Sequence, residues 1–234
     1  MAVYLNNKSI TLFGDSIGKG ITTDSGRPVV ADTDAVKLFE KEYGVKVDNT
    51  SVYGNSIKKI VERGIIDKYI EELDRTKLNV AVLEIGGNDA DFDWKEVAKT
   101  PCDKHESKTS LREFYTLYDQ TVLKLLDAGV EVIPCEIVPV MSKRYFDEVI
   151  SKVADGDKVL QFFHGDVETI VRYQESFNNA IIKIAYSSGL KTLDIRSGFL
   201  SLMGTGELMC KDGIHPNVKG QYEIFKAIKD FVSK

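Results

Sequence analysis

Short apolar runs alternate along the chain with longer stretches in which apolar residues recur at helical spacing. Several of the runs are rich in β-branched residues, and the third is almost continuously apolar, as is typical of a strand buried on both faces. The pattern predicts five strands, over Ser9–Phe13, Val45–Val52, Val80–Ile85, Val130–Val138 and Leu190–Ile195.

Between these runs, apolar residues return every three or four positions, as they do along one face of a helix. The predicted helices are Ala35–Tyr43, Ile57–Leu73, Leu111–Ala128, Val167–Ser188 and Val218–Val232. Strands that alternate with helices predict a three-layer α/β/α sandwich around a five-stranded parallel sheet. Because we find no repeat, linker or low-complexity segment, we expect one domain over residues 1–234.

Composition narrows the class of protein. A chain of 234 residues can bury a sizeable core without a disulfide or metal to support it. Its 31 Lys and Arg residues against 36 Asp and Glu give a formal charge of −5, which provides no basic surface for nucleic acid. No apolar run approaches the ~18 residues of a membrane span.

The cysteines and the N-terminus favour a cytoplasmic location. Cys102, Cys135 and Cys210 are odd in number and have no C-x-x-C spacing, which excludes a disulfide framework and a zinc knuckle. The chain begins without a charged segment followed by an apolar one, so no signal peptide is predicted. A secreted chain from which the signal has been removed would have the same sequence.

Two connections are longer than ordinary loops, one over residues 90–110 and the other over residues 141–166. Both follow predicted strands, so both should lie at the carboxyl edge of the sheet, where open α/β folds bind ligands. We expect their aromatic residues to pack as core or as a lid, namely Phe92, Trp94, Tyr145 and Phe146. Arg144 is a candidate contact for an anionic substrate group.

Polar motifs stand where the strands end. Gly14–Ser16 follows the first strand, Gly54 follows the second, and Gly86–Asp89 follows the third. Asp212–Pro216 comes just before the last helix. The carboxyl ends of parallel strands share one edge, so segments that are distant in sequence should meet there.

These motifs contain the residues of a nucleophilic hydrolase. A serine hydroxyl needs a base to take its proton, and His215 is the natural base for Ser16. Asp212, three residues before the histidine, can orient the imidazole and stabilise its charged form. The backbone N–H groups of Ser16 and Gly54 and the Asn88 side chain are candidate donors to an oxyanion. We expect Asp15 and Asp89 to brace their turns.

Taken together, the four blocks resemble the SGNH (GDSL-type) hydrolase superfamily, in the order of that family and over nearly the whole chain. Ser16, Gly54, Asn88 and His215 match the residues from which the family takes its name. The resemblance implies a flavodoxin-like fold, a triad of Ser16, Asp212 and His215, and an oxyanion hole of Ser16, Gly54 and Asn88. It also implies hydrolysis of esters or thioesters without a metal or an organic cofactor.

The first block fits two other motifs less well. Gly14–Gly18 matches the G-x-S-x-G elbow of α/β-hydrolases, but in that fold the nucleophile follows several strands. A phosphate-binding loop needs four residues between its glycines, and here only three separate Gly14 from Gly18.

The predicted function is that of a serine esterase whose partner is a small molecule, a small or carbohydrate-linked acyl ester. A thioesterase or acyltransferase on the same fold is one alternative. A non-catalytic flavodoxin-like module that binds a nucleotide or flavin at the strand ends is another. The sequence predicts no oligomeric state.

Overall fold

A parallel four-stranded sheet lies at the centre of the computed structural model, which describes residues 7–201 and 205–233. The strands in chain order are β1 (Lys8–Gly14), β2 (Ile21–Thr22), β3 (Val29–Val30), β4 (Val47–Asn49), β5 (Leu78–Glu84) and β6 (Glu131–Pro134). The sheet has the order β4-β1-β5-β6, while β2 and β3 form a separate antiparallel hairpin. The first four predicted strands are therefore present, with shifted ends.

The fifth predicted strand, Leu190–Ile195, is wrong as a strand. This segment lies beside β6 but makes only one parallel bridge, between Leu193 and Cys135. The N–H of Leu193 donates to the carbonyl of Pro134 (2.8 Å), and the N–H of Glu136 donates to the carbonyl of Leu193 (3.0 Å). The chain thus occupies the expected place without extending the ladder.

Turns on both sides shorten this segment. The N–H of Leu190 still closes the end of the preceding helix by donating to the carbonyl of Ala185 (2.8 Å). Further on, the Asp194 side chain accepts hydrogen bonds from the backbone N–H groups of Arg196 (3.1 Å) and Ser197 (2.8 Å). Such a side chain-to-backbone turn competes with strand pairing.

Helices cover both faces of the sheet. In chain order they are α1 (Ala35–Tyr43), α2 (Ile57–Glu62), α3 (Ile65–Glu71), α4 (Trp94–Lys99), α5 (Leu111–Asp127), α6 (Ser142–Tyr145), a π-helix (Phe146–Ile150), α7 (Ser151–Val153), α8 (Gly156–Phe162), α9 (Thr169–Ser187), α10 (Ser197–Ser201), a 3₁₀ turn (Thr205–Glu207) and α11 (Val218–Ser233). Helices α2, α3, α5 and α9 pack on one face, and α1 and α11 pack on the other.

The predicted helix Ile57–Leu73 is two helices, α2 and α3, separated at Gly64. This glycine has a φ of +61°, in the left-handed region that side chains disfavour, and its N–H donates to the carbonyl of Val61. The apolar spacing continues through the break because both helices contact the same core cluster. Periodicity alone therefore does not reveal the interruption.

The two long connections are not irregular loops. Residues 90–110 contain α4, and residues 141–166 contain α6, the π-helix, α7 and α8. They fold against each other around an apolar cluster that includes Phe92, Trp94 and Tyr145, which confirms that these aromatic residues pack as core. We call these two segments the cap.

Two further expectations concern thiols and membranes. Cys102 is exposed, Cys135 and Cys210 are buried, and all three are free thiols. Within residues 7–201 and 205–233, no helix has both the length and the apolar character needed to cross a membrane.

Candidate active site

The serine loop, Asp15–Lys19, begins where β1 ends. The Asp15 side chain accepts a hydrogen bond from the N–H of Ile17 (2.8 Å), and its carbonyl accepts one from the N–H of Lys19 (3.1 Å). These bonds make a tight turn that holds Ser16, itself only 6% exposed, at the carboxyl edge of the sheet. The expectation that Asp15 braces this turn is confirmed.

The histidine loop, Met209–Pro216, is a second tight turn. Its ends are joined by an antiparallel bridge between Met209 and Pro216. Within it, Asp212 Oδ1 accepts hydrogen bonds from the N–H groups of Ile214 (3.0 Å) and His215 (3.1 Å). One carboxylate oxygen therefore shapes the loop, and the other stays available for side chains.

The two loops bring Ser16, His215 and Asp212 into one hydrogen-bonded chain. His215 Nε2 lies 2.9 Å from Ser16 Oγ, and His215 Nδ1 lies 2.6 Å from Asp212 Oδ2. The imidazole is buried, with only 4% of the residue exposed. Two groups separated by 199 positions in the sequence are thus within hydrogen-bond distance.

Thr23 adds a contact that the sequence analysis missed. Its Oγ1 donates a hydrogen bond to Asp212 Oδ2 (2.7 Å), the same oxygen that faces the imidazole. Thr23 follows β2, a strand too short for the periodicity analysis to detect. No sequence signal distinguishes it from the other polar residues of its segment.

The environment keeps Asp212 ionised. Burial raises its pKa, but the hydrogen bond and charge of His215, with the hydrogen bonds from Ile214 and Thr23, outweigh burial and lower it to about 2. A carboxylate that remains charged across the neutral range can stabilise an imidazolium beside it.

The predicted oxyanion donors surround the same space. Gly54 has a φ of +69°, and a Cβ built there would have no neighbour within 4 Å, so its backbone faces open volume. Asn88 Nδ2 donates one hydrogen to Asp15 Oδ2 (2.9 Å), which leaves its second hydrogen free to point elsewhere. Among the described residues, the N–H groups of Ser16 and Gly54 have no acceptor.

Three buried carboxyls lie behind the serine loop. Burial raises the pKa of Asp15 to about 6, although the hydrogen bond from Ile17 and the charge of His215 oppose this rise. Burial, joined by the charge of Asp15, raises the pKa of Glu84 well above its ordinary value. Burial also raises the pKa of Asp89 to about 6.

Glu84 and Asp89 support the loops that surround the site. Glu84 Oε2 accepts hydrogen bonds from the N–H groups of Asp15 (3.3 Å) and Gly18 (2.9 Å), and sequence analysis missed this residue because it lies within an apolar strand. Asp89 accepts from the N–H of Ile57 (3.1 Å) and the hydroxyl of Thr109 (2.7 Å). Through these two bonds Asp89 links its turn to the start of α2 and to the segment before α5, whereas bracing within its own turn was expected.

A cavity of about 670 Å³ opens over Ser16 and His215. The cap supplies one wall, including Phe92 and Trp94. Tyr53 also lines the cavity, and its ring stacks on the imidazole, with centroids 5.9 Å apart and planes 19° apart. Tyr53 is 53% exposed, so about half of this residue is accessible to solvent.

Arg144 and the other two histidines of the chain have different surroundings. Arg144 Nη1 donates to the carbonyl oxygens of Gly206 (2.8 Å) and Met209 (3.3 Å), so the guanidinium supports the histidine loop instead of facing a substrate. His105 bonds to the carbonyl of Thr100 at the edge of the cavity. His164 is exposed.

Comparisons with known proteins show the family and the fold. The model of the GDSL-like Lipase/Acylhydrolase family matches residues 12–222. Among solved structures, a lipase/acylhydrolase from Enterococcus faecalis is 18% identical, with 96% of this chain and 95% of that chain covered and a TM-score of 0.65. The esterase EstA from Pseudoalteromonas sp. is 18% identical, with 97% of each chain covered and a TM-score of 0.60.

A third solved structure has the same fold. The acetylxylan esterase Axe2 from Geobacillus stearothermophilus is 17% identical, with 97% of this chain and 94% of that chain covered and a TM-score of 0.65. A search of curated protein sequences finds no match. The family match confirms the resemblance drawn from the four sequence blocks, and it favours an enzyme over a non-catalytic binding module. Since that match extends over most of the sequence, the chain belongs to the GDSL-like lipase/acylhydrolase family and is a hydrolase of ester bonds.

Proposed function

We propose that this enzyme cleaves its ester through a covalent acyl-enzyme formed on Ser16, with His215 as the base and Asp212 as its orienting carboxylate. The observation that carries this proposal is the unbroken chain from Ser16 Oγ to His215 Nε2 (2.9 Å) and from His215 Nδ1 to Asp212 Oδ2 (2.6 Å). A nucleophile, a base and an orienting group in series are what acyl transfer to serine requires.

The first half of the reaction forms the acyl-enzyme. His215 Nε2 takes the proton of Ser16 Oγ as this oxygen attacks the acyl carbonyl, and Asp212 stabilises the resulting imidazolium. The tetrahedral intermediate then collapses as His215 returns the proton to the departing alcohol oxygen. The acyl group remains on Ser16.

The second half releases the acid. His215 removes a proton from water, whose oxygen attacks the acyl carbon, and the proton is then delivered to Ser16 Oγ as the bond to the acyl group breaks. In both halves, the N–H groups of Ser16 and Gly54 and the second Asn88 amide hydrogen serve as donors to the negative oxygen.

The proposed substrate is a small or carbohydrate-linked acyl ester. The leaving alcohol must lie beside His215, and the half-exposed ring of Tyr53 lies next to that imidazole. A flat amphipathic ring at this place suits the apolar face of a sugar. Two of the solved structures with this fold are acetylxylan esterases, which makes acetylated xylo-oligosaccharides the first compounds to assay.

Labelling with a serine-directed fluorophosphonate tests the assignment of the nucleophile. We expect one adduct, located by peptide mass spectrometry at Ser16, and none in Ser16→Ala. Turnover of short p-nitrophenyl esters should fall by several orders of magnitude in that variant.

Ser51→Ala is a matched control for this experiment. Ser51 is buried close to the serine loop, and its hydroxyl has no hydrogen-bond partner within the described residues, so its removal should leave labelling and turnover intact. Wild-type turnover by Ser16→Ala, or an adduct on another residue, would refute the mechanism.

The substrate class is tested with Tyr53→Ala. Loss of a stacking contact worth about 1 kcal/mol should raise KM for acetylated xylo-oligosaccharides roughly fivefold. The KM for ethyl acetate should not change, because its alcohol is too small to reach the ring. Equal effects on both compounds, or faster turnover of acyl-CoA than of any oxygen ester, would contradict this substrate class. Added alcohols distinguish hydrolysis from acyl transfer through the products formed.

A further inference from the structure

The two faces of the sheet are packed to different degrees. On the face covered by α5 and α9, Ala81 and Leu83 of β5 are 0% and 1% exposed. On the face covered by α1 and α11, Val82 of β5 and Ile133 of β6 are only partly buried. Yet β5 lies between β1 and β6, at the centre of the sheet. Space therefore remains between this face and its helices.

That space is a cavity of about 380 Å³. Its floor is formed by side chains of neighbouring strands, among them Ile10, Val82 and Ile133, and its roof includes Phe39 of α1 and Ile228 of α11. Protein interiors are normally packed without voids much larger than a water molecule. Apolar cavities of this size instead accept apolar guests, and 300–1,000 Å³ is the ordinary range of ligand pockets.

At its inner end the cavity meets the back of the serine loop, where two polar side chains bond to the backbone. Glu84 accepts from the N–H groups of Asp15 and Gly18. Gln221 accepts from the N–H of Ala35 (3.1 Å) and donates to the carbonyl of Ile17 (3.3 Å). A guest therefore finds mainly apolar contacts at this end, beside polar side chains that already bond to the backbone of the serine loop and α1.

At its outer end the cavity reaches the amino edge of the sheet and is lined by charged residues. Lys8 and Glu131 form an ion pair of 2.5 Å. Lys191 also lines this end, and it is exposed and makes no hydrogen bond or ion pair with any residue the structure describes. The mouth therefore holds one cation without a counter-charge above an apolar interior.

We propose that this cavity is a binding site for a medium-chain fatty acid, with the alkyl chain between the sheet and α11 and the carboxylate at Lys191. The distance along β1 from Lys8 to Leu12 is about 13 Å at ~3.3 Å per residue, which suits a chain of medium length. An apolar interior and a single unpaired cation at the mouth match an aliphatic tail with an anionic head.

This site is separate from the cavity over Ser16. The two share only the wall made by Ile17 and Glu84, and Ser16 and His215 face the other side of that wall. A fatty acid in the second cavity would touch the back of the serine loop without occupying the place of an ester substrate.

Titration with dodecanoate tests the proposal, with the fluorescent fatty acid cis-parinarate as a displaceable probe. We expect saturable binding to the wild-type enzyme. Ile133→Phe fills the cavity and should raise the Kd for dodecanoate at least tenfold. The matched control is Val149→Phe, which adds bulk to the cavity over Ser16 and should change this Kd less than twofold.

The head-group contact is tested separately. Lys191→Gln should raise the Kd for dodecanoate roughly tenfold. The Kd for dodecan-1-ol should not change, because the alcohol carries no charge. Lys183→Gln, an exposed lysine of α9 outside the cavity, is the control and should change neither ligand.

Val82→Ile adds a single methylene group and keeps the test valid if Ile133→Phe does not fold. Since both substitutions fill existing space, neither should lower the Tm, and both should raise the Kd for dodecanoate. Absence of saturable binding, or equal weakening by Val149→Phe, would overturn the proposal. Binding that appears only after residues 1–6 are removed would assign the cavity to the chain's own N-terminal segment and would also overturn it.

Discussion

The two oxygens of Asp212 have different partners. Oδ1 accepts from backbone N–H groups of its own loop, and Oδ2 accepts from His215 and Thr23. Thr23 therefore belongs to the site although it contacts neither Ser16 nor a substrate. Its expected role is to position the Asp212 carboxylate of the proposed triad.

Thr23→Val should lower kcat roughly fivefold with KM unchanged, since one hydrogen bond is worth about 1 kcal/mol. The hydrogen bond from Thr23 also lowers the pKa of Asp212, so this carboxylate should stay ionised at neutral pH even in the variant. Steady-state kinetics at neutral pH measure kcat and KM.

Two further variants decide whether the hydroxyl is responsible. Thr23→Ser retains it and should restore kcat. Thr22→Val removes a neighbouring hydroxyl that contacts Cys210 and should affect neither. A fall in kcat that Thr23→Ser does not restore would contradict the positioning role.

Asp89 should make the folded state sensitive to pH. Burial raises its pKa from 3.8 to about 6, so the folded protein holds this proton more tightly than the unfolded chain does. The stability from this group is fully present below pH 3.8 and is lost as the pH rises through about 6.

The Asp89→Asn variant isolates this effect because asparagine does not titrate. The destabilisation caused by the substitution should be about 2 kcal/mol larger at pH 4.5 than at pH 7, as measured by urea unfolding. A destabilisation that grows with pH would show that Asp89 is held as a carboxylate.

At the residue scale, the sequence predicted which side chains lie close together wherever a motif directly adjoined a strand or helix end. Ser16 follows β1, and Asp212 and His215 share one short loop. Thr23 and Glu84 were missed for different reasons. Thr23 acts from a hairpin with two-residue strands, and Glu84 is a single carboxyl within an apolar run, whose purpose appears only when the serine loop folds over it.

At the element scale, α11 is tied closely to the segment that bears the histidine loop. A Cβ added at Gly220 would clash with the carbonyl of Leu208 and lie 2.8 Å from the Cβ of Pro216. Leu208 immediately precedes the histidine loop and Pro216 ends it. The absence of a side chain at position 220 therefore determines how closely α11 approaches this loop.

Gly220→Ala should therefore destabilise the protein, although alanine normally favours a helix over glycine by about 1 kcal/mol. Overpacking of this kind costs roughly 1–3 kcal/mol, and displacement of the histidine loop should lower kcat as well. Urea unfolding and ester hydrolysis are the measurements. Lys219→Ala, at the exposed neighbouring position, should alter stability by less than about 0.5 kcal/mol. A stabilised Gly220→Ala would disprove the close contact.

The order of strands and helices was predictable because the spacing of apolar residues differs between the two. The residues at which each element begins and ends were not predictable in this way. The break at Gly64 leaves the apolar spacing intact, and the segment around Leu193 has strand composition but is too short between its turns to pair further. The helices of the cap are stabilised by contact between two segments that are remote in sequence. The apolar spacing within either segment alone does not predict that contact.

At the scale of the whole molecule, Glu84 stands in the wall between the two cavities. Its pKa is raised well above the ordinary value by burial and by the charge of Asp15, so a neutral side chain should serve equally well there. Glu84→Gln keeps an oxygen that can accept from Asp15 and Gly18, and it should retain kcat within about twofold.

Glu84→Leu has a similar volume but leaves those two N–H groups without an acceptor, at a cost of about 1–3 kcal/mol for each unsatisfied group. It should lower both Tm and kcat. Thermal unfolding and p-nitrophenyl ester hydrolysis compare the two variants, and equal loss of activity in both would indicate that the negative charge itself is needed.

The uneven packing of the two faces should be apparent under hydrostatic pressure, which favours whichever state occupies less volume. Apolar cavity interiors stay dry in proteins, and unfolding eliminates such unfilled space. A molecule with a cavity of about 380 Å³ should therefore unfold at lower pressure than a fully packed one. Helices α1 and α11 should separate from the sheet before the other elements do. The Ile133→Phe variant should unfold at a higher pressure than the wild type.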